Sequence, residues 1–326
     1  MYAMEEQLTI IISNYHQEAH LAETIESALK QSVKFPYRIL IADDHSTRDR
    51  SREIIQEYAE RYPQIEPIFA DENGGYLTNV IRAKERTKTK YFCLLDAEDY
   101  WTDVDFLQRA YDFLESHGGY SIYEANVLTS EGKPLLSAKW KSGTYSREML
   151  LSNKPVPVTQ TTGMFFRNSI FLHGVPEVMK NAVGTRSERS FEGDTGRFMM
   201  HLKEGPAYYD SRVVGVYRLT ENGIWNSLPE SKKRLISARM QLDYFAYYGS
   251  GPTFFVNRAY NALQAYFREK EKELEGMNRQ VPFMEEEDRL MMEDVYQFCK
   301  EHERDLLRGK SGLLQKAKQI YRILRS

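Results

Sequence analysis

Leu8-Thr9-Ile10-Ile11-Ile12 is a short, β-branched and almost wholly apolar run, the pattern of a parallel strand covered on both faces. After a polar turn, Leu21, Ile25, Ala28 and Leu29 recur at helical spacing, and a second apolar run, Arg38-Ile39-Leu40-Ile41-Ala42, precedes Asp43-Asp44-His45-Ser46. Ile54, Ile55, Tyr58 and Ala59 mark another helix, Ile65 to Phe69 a third strand, Val80 to Arg86 a helix and Tyr91 to Leu95 a fourth strand. This alternation predicts an α/β fold: a Rossmann-like, mostly parallel sheet with helices on both faces. Ligands of such sheets gather outside the carboxyl ends of the strands.

Beyond about residue 116 the order loosens into mixed sheet and loops, with strand-like pieces such as Ser121-Ile122-Tyr123. From Pro229 onward Ala238 to Tyr248, Val256 to Leu274, Glu285 to Glu303 and Leu313 to Leu324 are long, charged and periodic, which predicts a helical C-terminal region. The 326 residues thus divide into an expected α/β domain over 1–228 and a helical region over 229–326. With 44 Lys+Arg against 47 Asp+Glu there is no global basic surface, so nucleic acid is not an expected partner. Cys93 and Cys299 build neither a disulfide framework nor a zinc ribbon. No charged leader with an apolar core and no run of about 18 apolar residues occurs, so the expected location is cytoplasmic.

The sharpest chemical signal is Phe92-Cys93-Leu94-Leu95-Asp96-Ala97-Glu98-Asp99-Tyr100-Trp101, a buried strand ending in three carboxylates within four positions. A hard divalent cation relieves such crowding, using one or two carboxylates together with substrate phosphates. An acidic helix N-terminus is the other reading. Asp43-Asp44 follows the second strand at the equivalent edge; it suits either a base or ribose contact or a helix cap. His20, His117, His173, His201 and His302 lack metal-ligand spacing and read as surface or packing residues.

In order and spacing, Ile10-Ile11-Ile12-Ser13-Asn14-Tyr15-His16-Gln17-Glu18, Ile41-Ala42-Asp43-Asp44-His45-Ser46-Thr47, Asn73-Gly74-Gly75 and the acidic run above resemble the nucleotide-sugar domain of family 2 glycosyltransferases with the GT-A fold. The resemblance covers about residues 7 to 226. It implies an inverting transfer from a nucleoside diphosphate sugar, with UDP-sugar the expected donor and Mn²⁺ or Mg²⁺ the cofactor. The acceptor would be a glycan or lipid-linked hydroxyl in bacterial surface-polysaccharide or glycoconjugate synthesis. By position, Ser13, Tyr15 and Glu18 would lie near the base, Asp43 or Asp44 would accept from it, and Asn79 and Asp96 would belong to the same donor site. Glu98 would face ribose or metal, and Asp99 would bind the metal. Ser13 stands where the family has Pro, His16 where it has Asn, and Glu98 where it has Asp.

Phe191-Glu192-Gly193-Asp194 sits where the family carries its catalytic base. Inverting transfer needs a carboxylate that takes the acceptor proton as oxygen attacks the anomeric carbon, and Asp194 is the expected base, with Glu192 next in line and helix capping the alternative role. Tyr217-Arg218-Leu219-Thr220-Glu221-Asn222-Gly223-Ile224-Trp225 resembles the family's closing segment over the diphosphate. Arg218 would neutralise leaving-group charge, Thr220 replaces the usual His, and Trp225 reads equally as a core aromatic. Thr159 to Arg167 resembles the segment beside the acceptor, and its hydroxyls also suit an exposed strand. A nucleotidyltransferase and a non-catalytic nucleotide-sugar-binding or scaffold subunit are the rival functions; the first lacks a Gly-rich phosphate loop at the first strand.

Residues 268–303 carry twelve acidic and six basic side chains, and 304–326 carry seven basic and one acidic. The basic tail, striped with Leu313, Leu314, Ala317, Ile320, Tyr321 and Leu324, suits either peripheral contact with the inner face of the plasma membrane or docking on the acidic helices, within the chain or in a homo-oligomer.

Overall fold

The computed structural model describes residues 6–219, 223, 225, 227–277 and 285–305. Contacts divide the chain into two units: Met1–Met149, Pro155–Val183 and Phe191–Leu219 form the first, and Leu150–Lys154, Gly184–Ser190 and Thr220–Ser326 the second.

The strands are β1 (Leu8–Asn14), β2 (Tyr37–Asp43), β3 (Ile65–Phe69), β4 (Tyr91–Asp96), β5 (Tyr100–Trp101), β6 (Ile122–Thr129), β7 (Gly143–Tyr145), β8 (Met164–Arg167) and β9 (Ala207–Tyr217). They form one nine-stranded sheet in the order β3-β2-β1-β4-β8-β6-β9-β5, with β7 on β9. The β3-β2-β1-β4 half is parallel; β8 then runs antiparallel to both β4 and β6. The helices are α1 (Leu21–Leu29), α2 (Ser51–Arg61), α3 (Gly75–Arg86), α4 (Phe106–Ser116), the short α5 (Arg147–Leu151), α6 (Glu177–Lys180) and α7 (Glu188–Glu192), and α8 (Asp194–Glu204).

Every residue of β1 is buried, as its apolar run requires. Ile10, Ile12, Ile39 and Ile41 pack in one cluster with Leu21 and Ile25 of α1, Ile55 of α2 and Phe106, Leu107 and Ala110 of α4. Side chains alternate across a strand, so Phe92 of β4 turns to the opposite face, where it stacks on Phe166 at 5.0 Å and meets the His201 ring of α8 at 5.5 Å. His201 is a packing histidine: burial pulls its pKa down to about 3. Cys93 is likewise a small core residue of β4.

The turn from the parallel to the antiparallel half is tight. A 3-10 turn at Thr161–Gly163 leads into β8, and a Cβ on Gly163 would lie 2.3 Å from the Ala125 carbonyl oxygen of β6. Thr159, just before it, donates its N–H to Glu124 Oε2 at 3.1 Å. Of the two readings of Thr159 to Arg167, the exposed strand does not hold: Thr159 to Phe166 are buried, because β8 lies between β4 and β6.

In the second unit α9 (Glu230–Tyr248), α10 (Pro252–Met277) and α11 (Glu286–Glu301) follow one another. Gly249, at φ 65°, closes α9 in the left-handed conformation that glycine adopts without a Cβ penalty. Asp243 of α9 accepts from Ser187 at 3.0 Å and Ser190 at 2.6 Å, and Asp294 of α11 pairs with Arg239 at 3.2 Å. Among the described residues no helix is long and apolar enough to cross a membrane. The amphipathic tail lies, from residue 306 on, outside the described residues, as does Thr220.

Gly163→Ala is expected to destabilise the fold by about 1–3 kcal/mol, the usual cost of overpacking, in a denaturant melt in which Gly118→Ala, with nothing within 4 Å of its added Cβ, serves as the neutral control. Burial raises Glu124 from 4.5 to about 8. The folded state therefore holds this proton more tightly than the unfolded chain, and its stability contribution is lost as pH rises from about 4.5 through 8. The melting-temperature difference between Glu124→Gln and wild type should grow in the variant's favour over that window; a pH-independent difference would contradict this.

Candidate active site

The carboxyl ends of β1, β2 and β4 carry the polar residues of the first unit. Asp43 is fully buried and accepts from Asn14 at 2.8 Å, Arg52 Nε at 2.8 Å and the Ser46 N–H at 3.0 Å. Asp44 accepts the N–H groups of Gly74 at 2.9 Å and Gly75 at 2.7 Å, and Arg82 at 3.1 Å. Neither caps α2; Asp49 does that through the Ser51 N–H at 3.1 Å. The two aspartates instead brace the β2 end against β1 and against the start of α3. Asn79 completes the brace, donating to Ser13 Oγ at 3.2 Å and the Ala42 carbonyl at 2.7 Å.

Tyr15 is exposed, and its hydroxyl accepts from Arg48 at 3.1 Å. His16 holds φ at 53°, in the left-handed region where Asn, Asp and His are enriched among non-glycine residues, so His is compatible with the backbone at the position where the resembling family has Asn. Glu18, also exposed, accepts the Arg50 N–H at 2.7 Å.

The acidic run is a turn, not a helix start: Asp96 ends β4, and Tyr100–Trp101 forms β5 on β9. The acidic-helix reading is thereby corrected. Thr24 Oγ of α1 lies 2.8 Å from the Ala97 carbonyl and 2.7 Å from that of Asp99, and the Trp101 indole donates to the Thr162 carbonyl at 2.7 Å. These bonds fix three carboxylates in different surroundings. Asp99 is fully buried; its Oδ1 accepts the Arg218 N–H at 2.8 Å, and its Oδ2 accepts Gln160 at 2.9 Å and Thr162 at 2.8 Å. Asp96, half-buried, accepts the Tyr76 hydroxyl at 3.0 Å and Gln160 at 3.4 Å. Glu98 meets no side-chain donor among the described residues; its own N–H is the hydrogen bond at its carboxylate. Burial, then the Asp96 charge, push Glu98 up to about 7 and Asp99 well above the ordinary range. Burial raises Asp96 as well, with Arg197 opposing and Asp194 adding to the shift.

Arg218 donates to the Glu98 carbonyl, pairs with Glu23 at 2.5 Å and lies over the Tyr100 ring at 4.6 Å. Asp194 opens α8 but makes no capping bond. Its Oδ1 accepts the Thr161 N–H at 3.0 Å, the Thr161 hydroxyl, and Arg197 at 3.0 Å. Trp225 belongs to the second unit and is 41% exposed, so it is no core aromatic. The sequence reading missed Tyr76, Gln160, Thr161 and Arg197, the side chains that join the acidic turn to Asp194. The available signal was the Asp194/Arg197 spacing of one helical turn.

Three clustered carboxylates with ligand oxygens within 4.8 Å of one another occur, among the described residues, at Glu285, Glu287 and Asp288 of the second unit. Lys232 already pairs with two of that group, 2.9 Å from Glu287 and bonded to Asp288. In the acidic turn, Glu98, without a side-chain donor and raised by burial and then by the Asp96 charge, fits a hard divalent cation that takes one or two carboxylates and completes its shell from phosphate and water.

The chain is 27% identical over 241 residues to an uncharacterized protein of Mycobacterium tuberculosis, covering 71% of this chain and 64% of that one; it thus spans less than two thirds of that relative's length. It is 25% identical over 146 residues to the minor teichoic acid biosynthesis protein GgaB of Bacillus subtilis, 45% of this chain and 15% of that one. S. aureus TarS 1-349, solved in complex with UDP-GlcNAc, superposes with a TM-score of 0.67 over 97% of this chain and 88% of that one at 14% identity, a likeness of GT-A fold. The family model for glycosyl transferase family 2 matches residues 9–174, which hold β1 from its second residue through β8 and the whole acidic turn; with the sheet and strand-end carboxylates in place, the chain belongs to glycosyl transferase family 2.

Proposed function

We propose that the chain transfers a sugar, with inversion, from a nucleoside diphosphate sugar to a hydroxyl of a glycan or lipid-linked acceptor in surface-polymer synthesis, with UDP-sugar as donor. The observation that carries this reading is the split between two carboxylate environments. Glu98 and Asp96 end the parallel half of the sheet with Glu98 open to an ion, whereas Asp194 stands on α8 with one oxygen held and Oδ2 without a donor among the described residues. GgaB, a relative named for teichoic acid biosynthesis, and TarS, a fold neighbour solved with UDP-GlcNAc, support the donor and acceptor classes.

In this reading Tyr15, exposed at the end of β1, and Glu18, Ser13, Asp43, Asp44 and Asn79 form the nucleoside end. Tyr15 offers a ring face to the base, and the buried aspartates and Asn79 keep the strand ends in place. Glu98 with Asp96 would hold Mn²⁺ or Mg²⁺. A cation there supplies positive charge against the departing diphosphate. Asp99 is assigned to the fold of the turn rather than to the ion, because its two oxygens already accept three protein donors. Arg218 ties the turn together and adds positive charge beside it. Asp194 Oδ2 takes the proton from the acceptor hydroxyl as its oxygen attacks the anomeric carbon. Trp225 is proposed for the donor side on resemblance.

Glu98→Gln should abolish the Mn²⁺-dependent part of UDP affinity in calorimetry while leaving metal-free UDP binding unchanged; equal metal dependence in variant and wild type would reject Glu98 as the ligand. Asp194→Asn should bind UDP and Mn²⁺ as wild type does and lose about 10²–10⁴-fold in turnover, the range of general acid–base catalysis. A fully active variant would move the base elsewhere.

A further inference from the structure

Arg197 and Asp194 form an ion pair one helical turn apart at the start of α8. Ordinary helix pairs of this spacing lie on the solvent face, where both partners are exposed and the pair contributes little. Here the exposure is unequal: the Arg197 side chain is 1% exposed and that of Asp194 34%. The cation is sunk in the protein and the carboxylate faces outward. Burying a guanidinium costs several kcal/mol unless its donors are matched; four acceptors match the two Nη groups here, and Nε has no partner among the described residues. Nη1 donates to the Glu192 carbonyl at 2.6 Å and lies 3.4 Å from the Tyr76 hydroxyl. Nη2 donates to Thr161 Oγ and to Asp194 Oδ1 at 3.0 Å. Tyr76 in turn donates to Asp96 Oδ1 at 3.0 Å.

Resting on the reading of Asp194 as the base, we propose that Arg197 and Tyr76 are positioning residues that join the donor-side carboxylate Asp96 to Asp194 through one buried cation, so that the base is held by Oδ1 alone and presents Oδ2 to the acceptor. Three features support this. All the donors to the Asp194 carboxylate, from Thr161 and Arg197, converge on Oδ1. The guanidinium fork is fixed at both ends, by the Glu192 carbonyl and by Thr161, a geometry that lysine's single ammonium does not reproduce. The Tyr76 hydroxyl accepts from the cation and donates to Asp96, so its one proton sets the direction of the chain of bonds. A structural ion pair would need none of this convergence.

The test uses the full chain, with UDP and Mn²⁺ as binding probes and hydrolysis of whichever UDP-sugar most raises the wild-type melting temperature as the turnover assay. Arg197→Lys should leave the UDP–Mn²⁺ dissociation constant and donor KM within about threefold while lowering kcat at least tenfold. Tyr76→Phe, which removes only the bridging hydroxyl, should lower kcat by a smaller factor with the same unchanged KM. In an Asp194→Asn background neither substitution should lower kcat further, because a residue acting through another loses its effect when that other is removed. Equal kcat in Tyr76→Phe and wild type, or multiplicative losses with Asp194→Asn, would overturn the inference while leaving the glycosyltransfer reading intact. Should Arg197→Lys fail to fold, Tyr76→Phe and its double variant decide alone. Absence of UDP binding and of stabilisation by any UDP-sugar in the wild type would instead overturn the donor reading and this inference with it.

Discussion

Carboxylates crowded in a buried place repel one another, and the first unit is organised around relieving that repulsion. Asp96, Glu98 and Asp99 stand within four positions, and each is raised above the ordinary range by burial first and neighbouring charge second. The protein matches each charge differently. Asp99 is enclosed by Arg218 N–H, Gln160 and Thr162; Asp96 is served by Tyr76 and the field of Arg197; Glu98, half-buried, has its own N–H and the more distant charge of Arg218 but no side-chain hydrogen bond. The unequal treatment separates a structural carboxylate from one that suits an ion. A buried charge is tolerated only when paired, so the one left without a side-chain partner is where a cation adds most.

The sheet makes this possible by changing direction. Four parallel strands deliver the ends of β1, β2 and β4 to one edge, as open α/β sheets do. The insertion of β8 antiparallel to β4 then brings the Thr161–Gly163 turn back to that edge. From there Gln160 and Thr162 reach the acidic turn, and Thr161 reaches Asp194. Gly163 is required because the β6 backbone passes too close for any Cβ, and Glu124 pins the entry to the turn by accepting the Thr159 N–H. A loop of few residues thus carries both halves of the site.

What the sequence disclosed was what local pattern encodes. The apolar run at Leu8–Ile12, the helical spacing through Leu21, Ile25 and Ala28, and the acidic run after Leu95 all correspond to elements whose residues neighbour one another in the chain. The hydroxyl-rich Thr159–Thr162 segment suited both an acceptor-side segment and an exposed strand, because composition alone does not separate them; its partners, Asp99 and Asp194, lie some tens of residues away on either side. Asp99 was expected as a metal ligand, and nothing adjacent in sequence announces that Arg218, more than a hundred residues on, donates its N–H to it. Tyr76 and Arg197 carried no motif at all. Apart from the one-turn spacing of Asp194 and Arg197, their significance is a matter of distance in space, which the sequence pattern does not report.

The measurement that tests the account most directly is anomalous diffraction from Mn²⁺ in crystals grown with a UDP-sugar. The account predicts a manganese peak about 2.1 Å from a Glu98 oxygen, the usual distance for a small divalent ion, with Asp99 still bonded to Gln160 and Thr162 and with Asp194 Oδ2 facing the sugar. A peak coordinated by Asp99 or at Glu285, Glu287 and Asp288, with Glu98 pointing away, would contradict it.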